Sequence, residues 1–288
     1  MEQKNNKIKN IDVSTVDGFG DEWRRFQQEK LDIVDRELMY DDYFKVFPWE
    51  RLPKDAVGVD VGCGCGCGCG SGRWAVMVAP KEGHLHLVDA SSDALGVARK
   101  NMEAHSNCSF HIASLDEMPF PNASLDFAYS LGVLHHIPDT AKGIQSVSEK
   151  IKPGGTFLAY IYYKFDNRPA WFRALWKISD MMRSVICRLP YSLRYAVSQV
   201  LATLVYWPLS RTALLLEKLY KPFPNAPLFW YRNKSFYSLR TDALDRFGTR
   251  LEHRYTRKQV EEMLEGAGFH EICFSDSALF WCVSAIKK

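Results

Sequence analysis

The sequence has no uncharged apolar run of about 18 residues, the length a membrane-spanning helix requires. Its longest candidate, 195–210, is broken by Ser198, Gln199, Thr203 and Pro208, so it is not read as a span. The opening MEQKNNKIKNIDVS lacks the apolar centre of a secretory leader, and Ser284 to Lys288 carry no prenylation box. A cytoplasmic, reducing location is therefore expected, with cysteines present as thiols. Net charge is also low: a formal +3 gives no case for a nucleic-acid binder. Wholesale disorder is excluded by an ordinary composition, 47% hydrophobic and 25% charged. A chain of 288 residues suits one catalytic core plus a sizeable insertion.

What is present is concentrated locally. Between Lys164 and Lys221 ten Lys/Arg face three acids, so that segment carries +7 and the remainder −4. Seventeen of the 38 aromatic residues lie between Tyr162 and Tyr237. Four of the eight cysteines, Cys63, Cys65, Cys67 and Cys69, form a strict Cys-Gly repeat. Zinc sites usually pair cysteines two to four residues apart, with a second pair elsewhere. The repeat reads instead as the expansion of a glycine turn, and no metal is assigned.

The chain divides into three parts. Residues 1–54 read as an N-terminal helical cap, with Trp23, Phe26, Leu31, Val34 and Leu38 at helical spacing between Glu22 and Leu38. Residues 55–163 alternate strands with helices. Strands are expected at 57–61, 84–89, 108–113, 125–129 and 156–162, and helices at 73–79, 93–105 and 140–151, the last ended by Pro153-Gly154-Gly155. Residues 164–250 read as a mostly helical lid. In it Leu175, Ile178, Met182 and Val185 share one face, and Val197, Val200, Leu201 and Leu204 another, the second segment ending at Pro208. The strand pattern resumes at 251–288, with a Thr256-x-x-Gln259 capping box and two closing strands, 270–274 and 281–286. The fold expected is α/β: a doubly wound, mostly parallel seven-stranded sheet with an antiparallel terminal hairpin and a helical insertion.

A strand that runs into a glycine-rich turn and then a helix can cradle a nucleotide, because glycine admits close approach and a helix N-terminus offers free N–H groups. Two acids sharpen the signal. Asp60 precedes the turn, and Asp89 ends the next strand, where a carboxylate can accept hydrogen bonds from both ribose hydroxyls. From here the chain resembles the class I S-adenosylmethionine-dependent methyltransferases. The resemblance rests on Asp60-Val-Gly62-Cys-Gly64 with Ser71-Gly72-Arg73-Trp74, and on Leu87-Val-Asp89-Ala-Ser91. It continues through Met118-Pro-Phe120-Pro, Leu125-Asp126-Phe127, Val133-Leu-His-His-Ile-Pro138 and Ile151-Lys-Pro-Gly-Gly155. It implies S-adenosylmethionine as cofactor, held by Asp60, Gly62, Gly64, Gly72, Asp89, Ala90, Ser114, Leu115 and Ser130. Two departures stand out. Ser114 occupies the position where the family commonly places an adenine-binding Asp, with Asp116 nearby. The turn, Gly62 to Gly72, is about six residues longer than the family's, and its two-residue period leaves the point of insertion undefined.

Methyl transfer from a sulfonium needs an oriented acceptor and a dry site, and a base only if the acceptor loses a proton. His135 and His136, after the fourth strand, are the catalytic candidates; the competing reading is that they fix the loop through backbone hydrogen bonds. Ser130-Leu-Gly-Val133 replaces the Asn/Asp-Pro-Pro-aromatic motif of base-amine methyltransferases. The acceptor is therefore expected to be a small molecule, lipid-like or acidic, lined by Trp23, Phe26, Tyr162, Tyr231, Arg232, Tyr237 and Arg240. Basic flanks around an apolar face suit either peripheral membrane contact through 164–222 or a solvated lid. Two other functions share these features: an NAD-binding oxidoreductase, and a non-enzymatic membrane-associated binding protein should the expanded turn block the cofactor.

Overall fold

The computed structural model describes residues 10–28, 31–62, 71–220, 225–276 and 281–288. The cysteine repeat and Gly64 lie outside them.

The core sheet is built from β1 (Val57–Val61), β2 (His84–Asp89), β3 (Cys108–Ile112), β4 (Leu125–Leu131), β5 (Ile151–Tyr160), β6 (Phe269–Phe274) and β7 (Cys282–Lys287). Their order is β3-β2-β1-β4-β5-β7-β6. The first five strands are parallel, and β7 runs antiparallel to both β5 and β6. The expected sheet and closing hairpin are thus present. Chain order reverses between β1 and β4, which opens a crevice at their carboxyl ends.

Helices α1 (Val13–Arg25) and α2 (Ile33–Phe44) form the N-terminal cap. The single helix expected over 22–38 is replaced by these two, because each begins at its own aspartate. Asp12 accepts from the Thr15 N–H and Asp32 from the Val34 N–H. The core helices are α3 (Ala75–Val78), α4 (Ser92–Asn101) and α5 (Thr140–Lys150). Pro153 and Gly154 do not end a helix before the strand. They lie within β5, where its register against β4 shifts between Leu125 and Phe127, and Gly154 takes φ +80°.

The lid holds α6 (Ala170–Ile186), α7 (Tyr191–Leu201), α8 (Trp207–Leu219) and α9 (Phe236–Gly248), and α10 (Arg257–Gly266) returns to the core. Pro208 does not end its segment. It sits in the first turn of α8, where proline is tolerated, and a π-helical turn at Ala202–Tyr206 joins α7 to α8 without a break. The lid has its own buried cluster of Ile186, Ala202, Tyr206, Leu239, Ala243 and Phe247, separate from the main core.

β1 is buried almost throughout, and Gly58 in it is a packing requirement. A Cβ there would lie 2.0 Å from the Phe127 ring of β4. Gly58→Ala is expected to cost about 2 kcal/mol through overpacking. Gly96→Ala, in α4 with nothing within 4 Å of the added carbon, is expected to be neutral or slightly stabilising. Urea unfolding of both variants checks the contrast.

Candidate active site

Gly62 follows β1 with φ +80°, and a Cβ on it would come 2.5 Å from Val133 Cγ1. Only glycine fits there. Its N–H donates to the Val88 carbonyl at 2.7 Å, which fixes Gly62 beside β2. β2 ends at Asp89, 1% exposed, whose Oδ1 accepts from the Ser91 N–H at 2.7 Å. Ser91 in turn caps α4 by accepting from the Ala94 N–H.

These residues wall a narrow cleft of about 30 Å³ at the carboxyl edge of the sheet. Gly62, Asp89, Ala90, Ser114 and Leu115 line it together, so five predicted positions converge. Leu115, Val133 and Ile137 add apolar walls suited to a flat ring, and Asp89 offers a carboxylate suited to vicinal hydroxyls. The chemistry of the lining residues therefore suits a nucleoside. The opposite wall is Asn10, Ile11, Asp12, Thr15 and Val16, which sequence reasoning did not single out. The signal available was the Asp12–Thr15 cap, which starts the first helix at Val13, well ahead of Glu22.

Other predicted residues are placed differently. Ser130 does not line the cleft: its hydroxyl donates to the Val61 carbonyl at 3.1 Å and ties β4 to β1. Gly72, φ +69°, is held close against Met102 and Ala98 of α4 and shapes the end of the turn. Asp116 is occupied by the Asn10 N–H and the Lys142 ammonium. Asp60 is fully buried near the end of β1.

The two histidines are wholly buried and hold backbone. The His136 Nδ1 lies 2.7 Å from the Leu251 carbonyl, so that nitrogen carries the proton. The His135 Nδ1 accepts from the Tyr162 N–H at 3.3 Å, so its Nε2 carries the proton. Burial lowers the pKa of both, which keeps the rings neutral near pH 7. Each Nε2 is buried without a hydrogen-bond partner among the described residues. His136 borders the cleft, and His135 stacks on Tyr162 with ring centroids 3.7 Å apart.

The predicted acceptor residues divide into two groups. Trp23, Phe26 and Tyr162 are buried where the cap, the lid and the sheet edge meet. Tyr237 packs edge-on against Phe26 and its hydroxyl accepts from the Gln28 N–H. Tyr231 packs on Tyr206. The cations proposed for an acidic acceptor are used inside the lid. Arg232 pairs with Glu217 through Nε at 2.5 Å, and Arg240 donates to Gln199 Oε1 and Tyr195 OH.

A different set of charged residues faces the interior. Arg73, Glu22, Asp242, Asp245 and Lys234 are each at most 7% exposed. Burial, with help from Asp245 and Asp242, pushes the Glu22 carboxyl well above its ordinary range, while Arg73 pulls it back. Burial also pushes Asp242 up to about 7, against the pull of Arg73. The Tyr162 hydroxyl donates to Asp245 Oδ2 at 2.9 Å, which links this set to the stacked His135.

Residues 59–155 match the model of a family described as a methyltransferase domain. The chain is 34% identical over 96 residues to phosphoethanolamine N-methyltransferase 2 of Caenorhabditis elegans, covering 32% of this chain and 22% of that one. It is 32% identical over 104 residues to demethylmenaquinone methyltransferase of Listeria welshimeri, covering 34% and 43%. The chain therefore spans less than half the length of these relatives. A solved structure from Bordetella parapertussis, described as a possible exported protein, shares the fold with TM-score 0.50 at 16% identity, covering 91% of this chain and 72% of that one.

Proposed function

We propose that this chain, whose residues 59–155 are a methyltransferase domain of the S-adenosylmethionine-dependent class I type, transfers a methyl group to a small-molecule acceptor held beneath the helical lid. The observation that carries the reading is the cleft in which Gly62, Asp89, Ala90, Ser114 and Leu115 converge. Asp89 would hold the ribose hydroxyls, Ala90 and Leu115 the faces of the adenine, and Ser114 its edge. The bound cofactor supplies an electrophilic methyl on a sulfonium. The chain's own residues enclose and orient: Trp23 and Phe26 of the cap exclude water, and His135 stacked on Tyr162 fixes the floor. The neutral histidines, with their Nδ1 atoms engaged by backbone, act as supports of that floor. Isothermal titration calorimetry with S-adenosylhomocysteine and with NAD tests the reading. Binding of the first alone supports it; binding of NAD alone overturns it in favour of an oxidoreductase.

The acceptor is proposed to be lipid-like, met at an anionic membrane surface. No helix among the described residues is long and apolar enough to cross a membrane. Yet Trp171, Leu175, Ile178, Met182 and Val185 form one face of α6, each at least 44% exposed. Leu193, Val200, Leu204, Leu215 and Leu219 are also exposed along α7, the π-helical turn and α8. These faces lie in the segment carrying +7, so apolar insertion and attraction to anionic headgroups would act together. The expected result is co-sedimentation with vesicles containing phosphatidylglycerol and much less with phosphatidylcholine alone. An Ile178→Asp/Leu204→Asp double variant should reduce binding at least about tenfold while its calorimetric affinity for S-adenosylhomocysteine stays unchanged. Equal binding of wild type and variant would reject the membrane face.

A further inference from the structure

β2 and β3 lie at one edge of the sheet, and one face of the pair carries a cluster of imidazoles. His84 and His86 alternate onto that face from β2. Ser109 and His111 join them from β3, whose register sets Ser109 beside His86 and His111 beside Val88. His86 Nδ1 lies 3.2 Å from His111 Nε2. The His86 ring centroid stands 4.6 Å from that of His84 and 5.2 Å from that of His111. Phe120 packs on both His86 and His111. His84 is engaged separately, with its Nε2 2.8 Å from the Ser109 hydroxyl.

The cover over this face is thin. A helix follows β1, β2 and β4, but between β3 and β4 the chain forms only the short 3-10 turn Leu115–Glu117. The three rings are accordingly half-buried, open to small solutes. None of them lines the cleft at the carboxyl edge of the sheet, so methyl transfer gives them no task.

Two neutral imidazoles at this spacing share one proton: one nitrogen donates it and the other accepts. The same separation is a chelating bite. With metal–nitrogen bonds of about 2.0–2.1 Å, nitrogens 3.2 Å apart subtend roughly 100–106° at a common ion, between the square-planar and tetrahedral angles. Coordination also needs nitrogens free of a second proton. Burial, with His84 and His111 adding to it, brings His86 down to about 4, and burial lowers His111 as well. Imidazole suits zinc, nickel or copper, whereas magnesium and calcium take oxygen ligands. Among the described residues no group of three or more His, Cys, Asp and Glu is arranged to hold a metal, so the protein supplies two nitrogens and water completes the shell.

We propose that His86 Nδ1 and His111 Nε2 form an open, exchangeable chelating site for a divalent transition-metal ion of the zinc or nickel class. On binding, the proton between the two rings moves to the far nitrogen of the ring that held it, so both facing lone pairs turn to the ion and both rings stay neutral. The ion ties β3 to β2 at the edge of the sheet.

The test titrates zinc chloride into the full chain, with binding read by calorimetry and by proton–nitrogen NMR of the histidine side chains. It is run on the natural sequence and on a background in which Cys63, Cys65, Cys67 and Cys69 are replaced by serine, so that those thiols cannot take the metal. In that background a single zinc ion is expected to bind, with the His86 Nδ1 and His111 Nε2 resonances shifted and magnesium chloride unable to displace it. His86→Phe and His111→Gln should each weaken binding at least about tenfold, about 1.4 kcal/mol. His270→Gln, at the opposite edge of the sheet, should leave it unchanged. Zinc should raise the urea midpoint of the background but not that of His111→Gln, because an ion held only by the folded chain stabilises it. His111 stands on the edge strand, so its variant decides the matter should His86→Phe fail to fold, and the resonance shifts decide it should both fail. No zinc binding in the serine background, or binding that survives both substitutions, would overturn the site.

Discussion

Replacing Glu252 by glutamine is expected to lower the stability of the folded chain by about 3–5 kcal/mol, the usual cost of breaking a buried ion pair by removing one partner. Glu252 is buried between two arginines. Its Oε2 lies 3.1 Å from Arg246 Nη1 and its Oε1 2.8 Å from Arg254 Nε. The network reaches further: Arg246 and Arg183 both approach Asp180 of α6, and Arg183 donates to the Thr249 and Arg250 carbonyls. Arg254 also lies over the rings of Tyr162, Phe165 and Trp176. One carboxylate therefore joins the strand-side segment 251–254 to the lid, and its loss strands two desolvated cations. A urea midpoint unchanged from wild type would show that water reaches the pair and that the burial has been overvalued.

The same residue predicts an acid limb. Burial alone would raise the Glu252 pKa, but Arg254, Arg246 and Arg183 outweigh it and bring it down from 4.5 to about 2. A folded-state value below the unfolded one means a contribution present above pH 4.5. It is lost as pH falls through 4.5 toward about 2, and its size is roughly 3 kcal/mol. In Glu252→Gln the stability profile should be flatter over that window. The two measurements are linked, since both read the one carboxylate.

The parallel core was legible because its signals are local. Strand, turn, helix and acid fall within a few residues of each other, and a buried parallel strand announces itself by composition alone. The same holds for the place of Asp89, which ends β2 and lines the cleft. What was hidden depends on separation in sequence. Arg73, Glu22 and Asp242 each look like ordinary solvated charges, and only tertiary packing, α1 against α9 among it, buries them. Arg232 and Arg240 misled for the converse reason. Their partners Glu217 and Gln199 stand 15 and 41 residues earlier, and no periodicity connects them. Pro208 looked like a stop because proline lacks an N–H, but the first turn of a helix does not need that donor. The exposed face of α6 was visible as periodicity, whereas its exposure was not, since an apolar stripe normally turns inward.

Asp89→Ala should weaken binding of S-adenosylhomocysteine by about 3 kcal/mol, roughly a hundredfold, the cost of losing hydrogen bonds from two hydroxyls to a charged acceptor. Structure adds a complication that sequence did not show. Asp89 also accepts from the Ser91 N–H, and Ser91 caps α4, so the alanine variant loosens the helix start as well. Asp89→Asn separates the two effects. Its side-chain oxygen can keep the Ser91 contact while the charge is gone and one acceptor has become a donor. Calorimetry on both variants, with urea unfolding alongside, should show the asparagine protein as stable as wild type but still at least tenfold weaker in binding (about 1.4 kcal/mol). If asparagine restores affinity together with stability, Asp89 acts only by holding the β2–α4 turn, and the ribose contact must be sought elsewhere on the cleft wall. If both variants bind as wild type does, the cleft is not the nucleoside site, and the methyltransferase reading of this chain loses the observation that carries it.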